Sequence, residues 1–395
     1  MNDRIPAAPT GVGTASVHLP ALLRDLPSHR DKPAHRDKPA SASDSGPFPL
    51  RAFPALPPPA AEHEMNLPGG SGSAALLCPP VVRDDPVLTA VLDREMIVWA
   101  DELGLYTGER RQQLIDGGFT RAMVMCHPDS DVPDRLMAAV KWYVAENVLD
   151  DYYCDDPELT ETEKARLGIR LSLAQAVIEP PALPARIEAG FWKHVDDDPV
   201  LTAQRSAMDH LERIATGTQL DRMRHYLAVL YLGYQGEKSW RREGRMPSVW
   251  EYLTNRQFNN FRPAILLTDT VGGYEIPPQI LADPQVRRCV DLACNCSTIV
   301  NDLYSVHKDA QEGGLQINLP QVIAAEEKVP LATGYEKAIG IHNELITEFQ
   351  HLGLALILTG GPLLTRFLTG LWNWLGGNRH WHATNARHES PFLNQ

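Results

Sequence analysis

Between positions 150 and 156 the chain reads Asp150-Asp151-Tyr152-Tyr153-Cys154-Asp155-Asp156, four carboxylates in seven residues at the end of an apolar-periodic helix. A helix C-terminus already carries partial negative charge, so acids gathered there destabilise the fold unless a cation sits beside them. The stretch can simply face water, as blocks of like charge usually do. It can also hold Mg²⁺, a hard cation that takes oxygen from one or two carboxylates and leaves its other positions to water and phosphate.

A second stretch favours the cation. Asn301-Asp302-Leu303-Tyr304-Ser305-Val306-His307-Lys308-Asp309 continues a helical pattern that begins near Pro284. Asn301, Ser305 and Asp309 stand at i, i+4 and i+8, so on a helix they advance ~40° per step and share one face over about 12 Å. Amide, hydroxyl and carboxylate oxygen together suit Mg²⁺ better than a softer metal. Lys308 places an ammonium next to any anion the metal would bind.

The first 75 residues hold thirteen of the 32 prolines, no Trp and no Tyr, and they repeat His-Arg-Asp-Lys-Pro-Ala at His29–Ala34 and His35–Ala40. Such a segment cannot bury enough apolar surface to offset its ordering entropy, so residues 1–75 are expected to be a disordered extension. Residues 76–395, which carry all eight Trp, supply one large core. Acids and bases balance in the extension, so the formal charge of −13 belongs to the remainder and argues against nucleic-acid binding.

The start Met-Asn-Asp-Arg lacks the apolar run of a secretory signal. The most apolar segment, Leu352 to Leu364, is broken by Gly360-Gly361-Pro362 and reads as core rather than a membrane span. Six scattered cysteines fit a reducing, cytoplasmic setting. Cys289, Cys294 and Cys296 lack zinc-site spacing and read as small buried helix residues.

Asp85-Pro86 is a strong helix start, with Asp as cap and Pro in the first turn. The turn His127–Pro133 launches the helix that carries Trp142 and Tyr143 and ends at Asp150. Helical patterns follow over 158–176, 183–194, 198–217 and 219–243, and Pro247 begins the helix through Arg256. No alternating β-branched run interrupts them, so an all-α fold is predicted. Asn259-Asn260 before Phe261-Arg262-Pro263 marks a break, because Asn competes for backbone hydrogen bonds and the residue before Pro avoids the helical region. The stretch Gln311–Gly314 is expected to be mobile and to close over the site.

An Asp-rich motif followed far downstream by an Asn/Ser/acid motif resembles the bacterial class I terpene synthases, over roughly residues 78 to 390. The resemblance implies a helical bundle around a central active-site cavity. It also implies three Mg²⁺ ions held by Asp150, Asp151, Asp155, Asn301, Ser305 and Asp309, with Arg256, Lys308 and Arg387 on the diphosphate. Asn260 falls where the family has a helix-break carbonyl that assists ionisation; an ordinary kink is the alternative. Tyr143, Phe261 and Trp381 are candidates for the aromatic wall around the carbocation. Two positions depart from the pattern: Asp309 stands where the family usually has Glu, with Glu312 three residues on, and His388 replaces the Tyr of a terminal Arg-Tyr pair.

Within the family, the Cys78-Pro-Pro lead-in, the His127-Pro-Asp-Ser-Asp turn, Gly272-Gly-Tyr-Glu and the Pro-rich extension resemble members that cyclise a methylated C11 allylic diphosphate to a bornane skeleton. Geranyl and farnesyl diphosphates stay open as substrates, and water capture and proton loss stay open as endings. A chain-elongating prenyltransferase would need a second Asp-rich motif; a non-catalytic helical scaffold is the other alternative. The resemblance further implies loading into an encapsulin-type shell through the extension, and a homodimer is a further expected partner state.

Overall fold

Asp85 caps the first helix as its Asp-Pro step predicts, its carboxylate accepting from Val87 N and Leu88 N. The description rests on a computed structural model and covers residues 75–156, 158–312 and 315–385, without the side chains of 109 and 307–312. The expected extension up to position 74, the lid glycines Gly313 and Gly314, the pair Arg387-His388 and the side chains of Lys308, Asp309 and Glu312 lie outside the described residues.

Among the described residues no β-strand forms, in agreement with the all-α expectation. We number the helices of eight or more residues α1 Pro86–Glu102, α2 Phe119–Cys126, α3 Pro133–Leu149, α4 Leu167–Ile178, α5 Ala185–Asp196 and α6 Pro199–Ile214. There follow α7 Gly217–Glu243, α8 Val249–Arg256, α9 Pro284–Glu312, α10 Leu319–Glu327, α11 Leu331–Thr359 and α12 Gly361–Thr384. The expected pattern over 158–176 is cut by a one-residue break at Arg166, with Glu161–Ala165 ahead of it and α4 behind. Backbone helix continues through Glu312, so Gln311 and Glu312 belong to α9 rather than to the loop predicted there.

Caps set the entry of the site-forming helices. Thr216 and Gln219 close a capping box on α7, Ser248 and Glu251 close another on α8, and Asp198 caps α6 ahead of Pro199. At its far end α7 stops on Gly244, whose φ of 62° is left-handed and open to glycine at no steric cost.

Helix α3 packs on α1, α2 and α6, and α9 packs on α11 and α12. Trp142 on α3 and Trp372 and Trp374 on α12 are fully buried. Cys289, Cys294 and Cys296 are buried thiols on α9, which bears out their reading as core residues. The helices α3, α7, α8, α9 and α12 surround the cavity that holds the predicted motifs.

Candidate active site

The cavity encloses about 190 Å³. Much of its wall is built by the C-terminal halves of α3 and α7 facing α9. Tyr143, Glu146 and Asn147 come from α3 and Asp150 from the turn that follows it, Tyr234, Glu237, Lys238 and Arg241 from α7, and Asn301, Asp302 and Ser305 from α9.

The acidic stretch does not end the helix as its sequence predicts. One wide turn, Asp150–Cys154, continues α3, and Asp155 N bonds Asp150 O at 2.9 Å across five residues. A π-type turn inserts one residue into the helical repeat and re-aims the side chains after it. Asp150 and Asp155 thereby line the cavity. Asp151 points elsewhere: its carboxylate accepts from Tyr106 Oη at 2.6 Å and is not part of the wall. Asp156 pairs with Arg110 at 2.8 Å, and Lys238 binds the Asp155 carboxylate. Burial and the charge of Asp155 raise the Asp150 carboxyl to about 7 against the pull of Lys238.

On the facing wall Asn301 and Ser305 reach the same cavity, as their spacing on α9 predicts. Asp302, which the spacing argument passes over, is the better buried of the motif and holds the site together. It accepts from Arg256 Nη2 at 2.7 Å and from Tyr252 Oη at 2.7 Å. Burial opposes charge on Arg256, yet Asp302, Tyr252 and Glu237 outweigh it and raise the guanidinium further. The same Nη2 lies 3.5 Å from Asn301 Oδ1, and Asn301 Nδ2 lies 3.2 Å from His382 Nε2.

The predicted break after α8 is present and has a side-chain cause. Asn260 Nδ2 donates to Arg256 O at 2.8 Å and Gln257 O at 2.7 Å, while its Oδ1 accepts from Arg262 N at 2.8 Å. One side chain therefore stops α8 and caps the short turn Arg262–Ile265. Helix α7 lets this break approach because it presents Gly233: a Cβ there would sit 2.4 Å from Asn259 N. Asn255 Nδ2 in turn bonds Gly233 O at 3.0 Å.

The aromatic end gathers Tyr143, Phe261 and Trp381, all three in the cavity wall. Ring centroids of Tyr143 lie 6.3 Å from Phe261 and 5.6 Å from Trp381. Trp381 is oriented by its Nε1, which donates to Gly117 O at 2.9 Å.

Asp150, Asp155, Asn301 and Ser305 thus bring only oxygen donors to one cavity, the chemistry that Mg²⁺ accepts. Among the described residues no three His, Cys, Asp or Glu side chains gather into a metal cage of their own. A hard cation would complete its shell with amide, hydroxyl, water and substrate oxygen.

Comparison with known proteins decides the family. A family profile described as "Terpene synthase family 2, C-terminal metal binding" matches residues 141–348, the span from α3 to α11 that carries both motifs. The 2-methylisoborneol synthase of Saccharopolyspora erythraea is 43% identical over 322 residues, 81% of this chain and 91% of that one. The chain belongs to the terpene synthase family. The crystal structure of 2-methylisoborneol synthase from Streptomyces coelicolor A3(2) in complex with Mg²⁺ and 2-fluoroneryl diphosphate superposes with a TM-score of 0.77 at 41% identity, covering 80% of this chain and 98% of that one. A more distant relative, the (+)-T-muurolol synthase of Streptomyces clavuligerus, described as (2E,6E)-farnesyl diphosphate cyclizing, is 28% identical over 80% of this chain and 73% of its own length.

As a terpene synthase the chain is a lyase of the prenyl diphosphate class, with the class I helical fold and terpene cyclase activity. No described helix is long and apolar enough to cross a membrane.

Proposed function

We propose that this terpene synthase ionises 2-methylgeranyl diphosphate and cyclises it to 2-methylisoborneol. The observation that carries the reading is the division of one cavity into an oxygen-donor end and an aromatic end, in a chain 43% identical to a 2-methylisoborneol synthase. Asp150, Asp155, Asn301 and Ser305, with Asp309, are the residues we assign to Mg²⁺; Asp151, bonded to Tyr106, is left out of the set. Bound there, Mg²⁺ would supply Lewis-acid stabilisation of charge on the diphosphate oxygens.

The chain's own residues do the rest. Arg256, fixed by Asp302, presents a guanidinium at the polar end, and Lys308 and Arg387 are assigned to the same anion. The allylic C–O bond breaks with both electrons going to the diphosphate oxygen. Tyr143, Phe261 and Trp381 then offer ring faces to the carbocation and exclude bulk water from it. The Asn260 backbone carbonyl, held at the break by its own side chain, is assigned to orient the substrate as it ionises.

Geranyl, 2-methylgeranyl and farnesyl diphosphates, offered separately with Mg²⁺ and analysed by gas chromatography with mass detection, test the substrate. A bornane alcohol from the methylated C11 diphosphate is the expected result. A sesquiterpene from farnesyl diphosphate as the main product would shift the assignment to that substrate, and absence of diphosphate release from all three would favour a non-catalytic scaffold. Residues 1–75 we assign to an address for an encapsulin-type shell, since a Pro-rich segment with short apolar patches such as Val17–Leu23 suits a tether. Co-expression of shell with intact and truncated enzyme tests it, with equal loading of both forms the adverse outcome; sedimentation of the purified enzyme tests the proposed homodimer.

A further inference from the structure

Glu146 is the one carboxylic acid of the cavity wall that faces the aromatic half without a partner to explain it. It stands one turn before Asp150 on α3, about 6 Å further along the axis from the acidic end, and three residues after Tyr143. The residue is 9% exposed and lines the cavity, and its Oε1 is buried with no hydrogen-bond partner among the described residues. A buried carboxyl oxygen left unpaired in a native fold calls for a ligand or a chemical role. Its surroundings supply two phenols from α7, Tyr231 and Tyr234, both raised by burial, Tyr231 further by the charge of Glu146 and Tyr234 by that of Asp150 and then of Glu146. Tyr231 is already committed, donating to Gln204 Oε1 at 3.3 Å, and Gln204 is itself tied to Ala145 O at 2.9 Å. Tyr234 lines the cavity beside Glu146.

This polar spot lies where a carbocation chemistry otherwise demands dryness. A water molecule held there would destroy early cations unless it were immobilised and aimed, and a carboxylate with a neighbouring phenol can do both. We propose that Glu146, with Tyr234, binds the water that captures the final carbocation and accepts its proton, which makes Glu146 the residue that decides between alcohol and hydrocarbon. The step balances: a lone pair of the water oxygen forms the new C–O bond, no bond to carbon breaks, and the oxonium O–H bond breaks with its electrons staying on oxygen. The proton passes to the Glu146 carboxylate. Burial raises this carboxyl to about 8, so the ionised form that takes the proton is the minority at pH 7 and the alcohol share should rise with pH through that value.

The inference rests on the reading of the chain as an alcohol-forming cyclase, and the test separates the two. Wild type and Glu146→Gln are given 2-methylgeranyl diphosphate and Mg²⁺, and diphosphate release and product composition are measured together. The amide keeps size and polarity but cannot take the proton, so release should stay within roughly threefold while the alcohol share falls roughly tenfold or more in favour of bornane hydrocarbons. An unchanged alcohol share in Glu146→Gln overturns the role of Glu146 and leaves the cyclase reading intact; a wild type that forms no alcohol overturns both. If Glu146→Gln fails to fold by circular dichroism, Glu146→Asp decides, because withdrawing the carboxylate by one methylene should lower the alcohol share several-fold, and an unaltered share counts against the assignment.

Discussion

Arg256 Nη2 donates to Asp302 Oδ1 at 2.7 Å, and Arg256 Nη1 donates to Asn259 O at 3.0 Å, so one guanidinium couples the helix break to the metal motif. Asp302 is buried and Arg256 is largely shielded, its side chain 13% exposed. Removing one side of such a pair leaves an uncompensated charge and costs about 3–5 kcal/mol. Asp302→Ala should therefore lower the unfolding midpoint by several degrees as well as abolish turnover. Arg256→Lys, which cannot span both acceptors, should keep more stability and still lose most of kcat, as thermal unfolding and steady-state kinetics will show.

As an assigned Mg²⁺ ligand, Asp150 should give metal loading a pH dependence. Its carboxyl is raised to about 7 by burial and by Asp155, so below that pH it is mostly protonated, and a cation can bind only by displacing the proton. Apparent Mg²⁺ affinity should weaken as pH falls through 7, by up to about tenfold per unit for one proton, and titration calorimetry at several pH values measures it. Asp150→Asn should flatten that dependence and, like Asn301→Ala, abolish turnover with helical content unchanged.

Gly233→Ala tests the seating of the break. The added methyl would lie 2.4 Å from Asn259 N, a distance that backbone must move to relieve. We expect a loss of about 1–3 kcal/mol and a larger fall in kcat than in helical content, because Asn259 and Asn260 would shift together. Ala at Gly190, where a methyl meets nothing within 4 Å, is the control and should leave turnover unchanged.

Two buried histidines should set the acid limit. Burial lowers His127 to about 3 and His342 to about 4, both far below the unfolded value of 6.5. Between those values the unfolded chain binds the proton and the folded chain does not. Stability should fall as pH drops below about 6.5, by about 1.4 kcal/mol per pH unit for each histidine, until His342 titrates near 4. His342→Phe should make the unfolding midpoint less dependent on pH between 6 and 4, as urea denaturation at stepped pH will show.

Helix existence and much of the site were legible in the sequence because both rest on local spacing. Asp85-Pro86, the 3.6 periodicity and the i, i+4 pair Asn301 and Ser305 each depend on a few adjacent residues, and each stands as expected. What could not be read depends on partners far along the chain. Nothing near Asp151 announces that Tyr106 will claim it, and nothing near Asp302 announces Arg256 and Tyr252. Glu146 stands in the sequence as an acid near Val144, Ala145 and Val148, but its meaning requires the cavity. The wide turn at Asp150–Cys154 left no signal that periodicity could register, since a single inserted residue resembles an ordinary helix end.

The acidic turn separates two events that its sequence alone joins. Lys238 on Asp155 and Arg110 on Asp156 already balance two of the four carboxylates from within the protein, and Tyr106 donates to a third, Asp151. The scaffold therefore has no need of a divalent ion to close, and an enzyme stripped by chelator would keep its shape and be recharged by adding the ion back. The turn's shape answers to these internal cations, and circular dichroism recorded before and after chelation should coincide.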